Sequence, residues 1–312
     1  MDVLNKLDQN GRHYLEQLLT KFDSSEQSVS CHLEGLYRSS YQNYWDYLRL
    51  NTLLSTQNPK TSFPDEMVFI LYHQVAELYF RMILWEMEQI TREDRPVDEA
   101  FFLEKCERIC RYFRQLVTSM EVMTEGLDAR QFLQFRTSLT PASGFQSAQY
   151  RMIELNATSL RCLCGHGSDG LKEGMASEEL YQRIYWKNGA KSRLTGNKDQ
   201  SLKDFEIQYD RELIRLAEEK ATTNLYALYL KYYRGGACSE QIKNALRQMD
   251  KLANVDWPLM HYRAAATHLG GGVKGTGGTN WKEYLPPKRQ RIIFFPDLHS
   301  TEELDNWGKG AA

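Results

Sequence analysis

Proline is scarce in this chain, at 8 of 312 residues, so long helices meet few points at which they must break. Alternation of period two over consecutive segments is missing, which removes the main signature of a sheet-based fold. Apolar runs are short: stretches such as Met67–Tyr72 fall far below the ~20 residues that a bilayer-spanning helix needs. Charge of one sign is missing as well. The 39 Lys and Arg against 41 Asp and Glu leave a formal net charge of −2, which offers no global attraction to nucleic acid or an anionic membrane. The six cysteines form no regular framework and the opening ten residues hold no apolar signal segment, so disulfide stapling and secretion are both disfavoured. The expectation is a soluble, cytoplasmic protein with no nucleic-acid or membrane partner.

What is present is helical periodicity. Leu4, Leu7, Tyr14, Leu15, Leu18, Leu19 and Phe22 mark a polar helix that ends at a Ser-rich joint, so 1–35 reads as a docked arm or interface segment. Steps of three and four through Tyr41, Tyr44, Tyr47, Leu50, Leu53 and Leu54 predict helix up to Asn58-Pro59. Asp65–Thr91 opens after Pro64 with acids in its first turn and runs without a breaker, apolar nearly all round, which predicts a central helix of a bundle. Further helices are expected over 97–123, 126–139, 148–155, 202–220, 223–233 and 239–269, the last interrupted by Pro258. Residues 165–202 are polar and read as a variable excursion, Gly270–Gly278 holds six glycines and reads as a mobile loop, and Ile292–Phe295 is expected to pack back on the body. The whole of 1–312 reads as a single all-α domain, a helical bundle without internal repeat.

Several residues in this pattern suit chemistry. His73 lies in the most apolar helix, four residues before Glu77 and on the same face. Alone it reads first as a core histidine held by one hydrogen bond, with a ligand contact as the alternative. His261, in Trp257-Pro-Leu-Met-His261, offers the same two readings. No Glu-x-x-His pairs stand on separate helices, so a di-iron bundle is excluded. Two apolar-flanked histidines in a chain with 18 Tyr, 13 Phe and 6 Trp leave room for a planar cofactor such as haem, without a Cys-x-x-Cys-His attachment. Cys162-Leu-Cys164-Gly-His166 is half of a zinc pattern with no second half. The glycine loop lacks the order of a phosphate loop, but Thr276 and its backbone donors suit a carboxylate. Arg151 falls in an apolar, amide-rich stretch and needs an anion, either a carboxylate of the protein or one of a ligand.

Five blocks stand in order from about residue 40 to 300: Tyr44-Trp-Asp-Tyr-Leu48 with Leu53-Leu-Ser-Thr-Gln57, Asp65 through His73-Gln-Val-Ala-Glu77, Ser143-Gly-Phe-Gln-Ser-Ala-Gln-Tyr-Arg151, Trp257-x-x-x-His261, and Lys274-Gly-Thr-Gly-Gly278. Together they resemble the tryptophan 2,3-dioxygenase family. The resemblance implies an all-helical, tetrameric enzyme that encloses haem b and opens the indole ring of L-tryptophan with dioxygen to give N-formylkynurenine. It implies His261 as the proximal iron ligand and His73 as the distal residue that meets the indole N–H. Phe69 would pack on the indole, Arg151 would pair with the substrate carboxylate, and Thr276 in the glycine-rich active-site loop would touch the amino-acid head group. Tyr44 and Tyr47 match a segment that a neighbouring subunit lends to the pocket. The chain departs from the family where Pro258, Leu259 and Met260 replace its usual arginines, the proline being expected to restart the helix one turn before the ligand. It departs again where Thr279-Asn280-Trp281 replaces small residues after the loop. That second change leaves an alternative, a related histidine-ligated haem monooxygenase acting on another aromatic amino acid.

Overall fold

Short polar side chains open the helices of this chain. Asp98, Asp128, Ser147, Asp199, Asn224 and Ser300 each accept a first-turn N–H, satisfying donors that have no partner inside the helix. The computed structural model describes residues 6–23, 28–39, 42–92, 97–168, 170–190, 198–269 and 281–309, and the chain divides into two compact units, Met1–Gln57 and Asn58–Ala312. Among the described residues there is no β-strand.

The first unit holds α1 (Gln9–Asp23), α2 (Val29–Arg38), α3 (Tyr44–Tyr47) and α4 (Leu50–Leu53). Nothing in α2, α3 or α4 is buried. The continuous helix expected after Tyr41 is not formed. Arg49 adopts φ 53°, in the left-handed region, and a single such residue breaks the chain into two short helices.

The second unit holds α5 (Pro64–Ile90), α6 (Glu99–Ser119), α7 (Glu121–Thr124), α8 (Ala129–Phe135), α9 (Ala148–Ala157), α10 (Ser177–Tyr181), α11 (Tyr185–Gly189), α12 (Gln200–Glu219), α13 (Leu225–Leu228), α14 (Ser239–Lys251), α15 (Trp257–Leu269), α16 (Trp281–Tyr284), α17 (Pro287–Gln290) and α18 (Thr301–Asp305). Its centre is α6, whose Phe102, Cys106, Ile109, Phe113 and Leu116 recur at four and three residues and are fully buried. They pack between α5, through Ile83 and Met87, and α14, through Ile242, Leu246 and Met249.

α5 starts as its sequence prescribes, with Pro64 in the first turn followed by Asp65 and Glu66. Its burial is one-sided, contrary to the all-round burial expected: the inner face is core, while Met67, Leu71, Val75, Leu78, Met82 and Trp85 are exposed. By length and composition alone α5 could cross a bilayer, although no single apolar run in it is long; scattered charges keep the runs short without lowering the average much. Two of those charges are buried and compensated in the protein. Glu86 pairs with Lys105 at 2.9 Å and Arg108 at 3.0 Å. Glu66 accepts from the Lys60 and Thr61 amides at 2.8 and 2.7 Å. Burial alone would raise the Glu66 pKa, but the hydrogen bonds from Thr61 and Lys60 outweigh it and hold the carboxyl below its ordinary value.

Within the polar stretch expected as an excursion, Tyr181, Ile184, Trp186 and Lys187 are buried. Lys187 is fully enclosed because its ammonium meets Asp210 at 2.7 Å and Glu206 at 3.0 Å. The C-terminal return is as expected. Buried Ile292, Phe294 and Phe295 dock on α14, where the Asp250 carboxylate accepts from the Phe294 amide at 2.9 Å and the Phe295 amide at 3.1 Å and contacts His299 at 3.1 Å. The glycine-rich loop, with Thr276, Thr279 and Asn280, lies outside the described residues.

Candidate active site

His73 stands midway along α5. Its Nδ1 lies 2.7 Å from the Phe69 carbonyl, and because a carbonyl only accepts, Nδ1 carries the proton and Nε2 is left with a lone pair. The Phe69 ring lies tilted by 34° against the imidazole at 4.0 Å, and Phe69 is backed by Phe132 at 6.1 Å and Phe135 at 5.7 Å from α8. Tyr72 meets His73 edge-on at 5.7 Å. Solvent reaches the His73 side chain, yet the surrounding protein lowers its pKa by desolvation, against the opposing pull of the Phe69 carbonyl and Glu77.

His261 is delivered by a change of helix type. Between α14 and α15, residues Leu252–Asp256 form a π turn, and α15 opens after it with Trp257 and Pro258. In π geometry the N–H of residue 258 would bond to the Ala253 carbonyl. Proline has no N–H, and the Tyr150 hydroxyl donates to that carbonyl instead, at 2.8 Å. The helix runs on without a break from Ser239 through the π turn to Leu269, so the restart expected from Pro258 is not formed and the proline is taken up by the local change of helix type. The Trp257 indole packs edge-on against His261 at 4.5 Å and is supported by Phe80 at 6.0 Å. Burial pushes the His261 pKa down to about 4, the neighbouring His73 adds to the fall, and a hydrogen bond to the Trp257 carbonyl opposes it. Each histidine thus has a ring nitrogen tied to the carbonyl four residues back, and the two rings, on different helices, lie within electrostatic reach of each other.

α9 crosses α5 beside them. The Gln149 amide donates to the Glu77 carbonyl and to Glu77 Oε2, both at 2.9 Å. Arg151, two residues on, lies ~200° further around the helix and points elsewhere. Its Nη1 meets Glu154 Oε2 at 3.1 Å and the Tyr185 hydroxyl at 3.1 Å, and Tyr185 donates to Glu154 Oε1 at 2.6 Å. Of the two anions that the sequence left open for Arg151, the structure supplies the protein's own.

The profile of the family described as Tryptophan 2,3-dioxygenase matches residues 30–164. Tryptophan 2,3-dioxygenase of Bacillus thuringiensis subsp. konkukian (strain 97-27) is 30% identical over 282 residues, covering 85% of this chain and 94% of the relative. The protein of the same name from Anaeromyxobacter dehalogenans (strain 2CP-C) is 32% identical over 270 residues, covering 83% and 95%. This chain belongs to the tryptophan 2,3-dioxygenase family.

Two polar residues of this member of the tryptophan 2,3-dioxygenase family were not marked by the sequence: Arg136, after α8, and His268, on α15. Arg136 follows Phe135 directly in the chain and is half-buried at the start of the 3-10 turn Arg136–Leu139. The signal was an arginine closing the amphipathic piece 126–139. His268, two turns after His261, is buried against Phe132 at 5.2 Å with its Nε2 on the Met123 carbonyl. Its Nδ1 has no hydrogen-bond partner. Tyr44 and Tyr47 belong to the first unit, where both are exposed.

The donor set fits the haem that the family implies. One lone pair from a neutral imidazole suits an axial ligand, a pKa near 4 keeps His261 neutral at physiological pH, and its second nitrogen is oriented by a carbonyl, as metal-bound histidines usually are. Among the described residues no three His, Cys, Asp or Glu side chains converge as a metal set of their own.

Proposed function

We propose that this chain is a haem-dependent dioxygenase that opens the indole ring of L-tryptophan with dioxygen to give N-formylkynurenine. The observation that carries the reading is the histidine pair: two imidazoles on separate helices within electrostatic reach, each with one ring nitrogen held by its own helix. His261 would hold the iron of haem b, and the bound haem would supply the activation of dioxygen.

The remaining work falls to side chains. His73 Nε2 accepts the indole N–H and fixes the ring in the plane that Phe69 offers, with Phe132 and Phe135 behind it keeping water away. Because Nδ1–H of His73 is held by Phe69, the acceptor stays in the required tautomer. Arg151 is held by Glu154, and the carboxylate is given to Arg136, half-buried one residue after Phe135. Thr276 takes part of the head group, and Tyr44 and Tyr47 are lent by a neighbouring copy within a cytoplasmic homotetramer.

Isotopically labelled dioxygen tests the reaction: both labelled atoms should appear in N-formylkynurenine. A hydroxylated aromatic amino acid carrying one label would overturn it. The arginines are separated by comparing tryptophan with tryptamine. Arg136→Ala should erase the advantage of the carboxylate, and loss of that advantage in an Arg151→Ala variant of unchanged fold would return the role to Arg151.

A further inference from the structure

The π turn before Pro258 leaves one carbonyl without a helical donor. In an uninterrupted α-helix the Ala253 carbonyl would accept from the Trp257 amide. Here that amide donates to the Leu252 carbonyl instead, the bond that closes the π turn. The next donor in π register belongs to residue 258, and proline has none. Ala253 is fully buried, so water does not make good the loss. The Tyr150 hydroxyl does, at 2.8 Å. Its own place is fixed at both ends: Ser147 accepts from the Tyr150 amide at 3.2 Å, and the ring packs edge-on against Phe80 at 5.3 Å, the same Phe80 that supports Trp257.

We propose that Tyr150 is a positioning residue for His261, its hydroxyl standing in for the N–H that Pro258 lacks and so holding the π turn from which the imidazole is placed. Trp257 connects the two. Its amide closes the π turn, its carbonyl holds one ring nitrogen of His261, and its indole packs against that ring at 4.5 Å. Without the hydroxyl the helix has two courses, and both are unfavourable. It can keep the π turn with a buried carbonyl unpaired, which carries the full desolvation cost of that group. It can instead let the Trp257 amide slip back to Ala253, which drives the Pro258 ring against the Asn254 carbonyl and moves His261 by one residue of register. Pro258→Ala removes the difficulty, because an N–H at that position reaches the Ala253 carbonyl while packing at both ends keeps the π turn. Tyr150 is therefore required because residue 258 is proline, and the two positions are coupled.

Wild type, Tyr150→Phe, Pro258→Ala and the double variant are compared as haem-loaded proteins. Three quantities are read: the ferrous Soret band, the rate of haem transfer to apomyoglobin, and hydrogen exchange at the Trp257 amide, with circular dichroism for folding. Tyr150→Phe should release haem about tenfold faster, the scale of a lost supporting contact to a metal ligand. Its Trp257 amide should exchange faster while helicity is kept. In the double variant both quantities should return to within about twofold of Pro258→Ala alone. No change in Tyr150→Phe, or equal losses whether residue 258 is proline or alanine, overturns the proposal and leaves Tyr150 as packing. If Tyr150→Phe does not fold, recovery of the fold in the double variant supports the coupling and failure of both overturns it. The inference rests on His261 as the haem ligand in the proposed function, but exchange at Trp257 does not. A chain that takes up no haem and still shows the coupled exchange would sink the haem reading alone; normal haem with uncoupled exchange would sink this inference alone.

Discussion

Replacing Arg151 by methionine removes the cation beside Glu154 and keeps most of the side-chain volume. Glu154 is almost wholly buried, and its pKa already stands above the ordinary value because desolvation outweighs the help of Arg151 and Tyr185. Without Arg151 the carboxylate loses its only opposite charge among the causes of that shift. Breaking one side of a buried pair costs about 3–5 kcal/mol. For a unit of this size that lowers the melting temperature by roughly 10 °C. The sign with pH follows from the direction of the shift. An acid whose folded pKa is raised contributes stability below its unfolded pKa and loses it as pH climbs through the folded value. The penalty in Arg151→Met should therefore be largest near neutrality and shrink as the pH falls toward the ordinary carboxylate range. The double variant Arg151→Met/Glu154→Gln removes both charges and should melt within about 1 kcal/mol of wild type. Thermal unfolding followed by circular dichroism at about pH 7.5 and 5.5 measures all three proteins. A single variant as stable as wild type, or a double variant no better than the single, refutes the ion-pair account. The double variant should also keep its spectral response to tryptophan, which a carboxylate clamp at Arg151 would forbid.

Three further outcomes are expected. His261→Ala should lose the Soret band of the reconstituted protein with helicity intact; unchanged haem content and ferrous spectrum would exclude His261 as the ligand. His73→Ser should lower turnover without abolishing it and should penalise 1-methyltryptophan less than wild type does, since that analogue has no N–H to offer; complete inactivity with normal haem and substrate binding would mean that His73 does more than orient. Asp250→Ala should release the C-terminal return by removing the acceptor of two buried amides, at about 2–4 kcal/mol, detectable as faster hydrogen exchange at Phe294 and Phe295 and refuted by unchanged protection there.

Helices with a clear apolar phase were readable in advance. The buried row Phe102–Leu116 repeats at four and three, and α12 and α9 lie within two residues of their expected limits. Pro258 announced a local irregularity before His261, because the loss of an N–H is a local, chemical fact, but the helix absorbs it in a π turn and does not break. What escaped depended on partners far along the chain. Lys187 finds Asp210 and Arg151 reaches the Tyr185 hydroxyl, pairs that no spacing rule connects, whereas the anion of Arg151, Glu154, stands three residues on and was within such a rule. Arg49 escaped for a different reason: its left-handed backbone interrupts a stretch whose side chains still obey the helical rhythm. Of the site, the two histidines and Phe69 were legible as apolar-helix residues, whereas the proximity of His73 to His261 is a tertiary property.

The π turn before His261 works as an angular shim. Twelve residues separate Met249 from His261, and in an uninterrupted α-helix they would leave the imidazole ~120° away from the inward row of Ile242, Leu246 and Met249. The one residue that a π turn takes up winds back ~100° of that, so the ring comes into line with the packed face of the preceding helix. Packing of α14 against α6 and the aim of the imidazole are thereby set by separate stretches of chain. Substitutions that repack the row at Ile242–Met249 can accumulate without rotating the histidine, and the bearing of the histidine can be adjusted by a single inserted or deleted residue without disturbing the core.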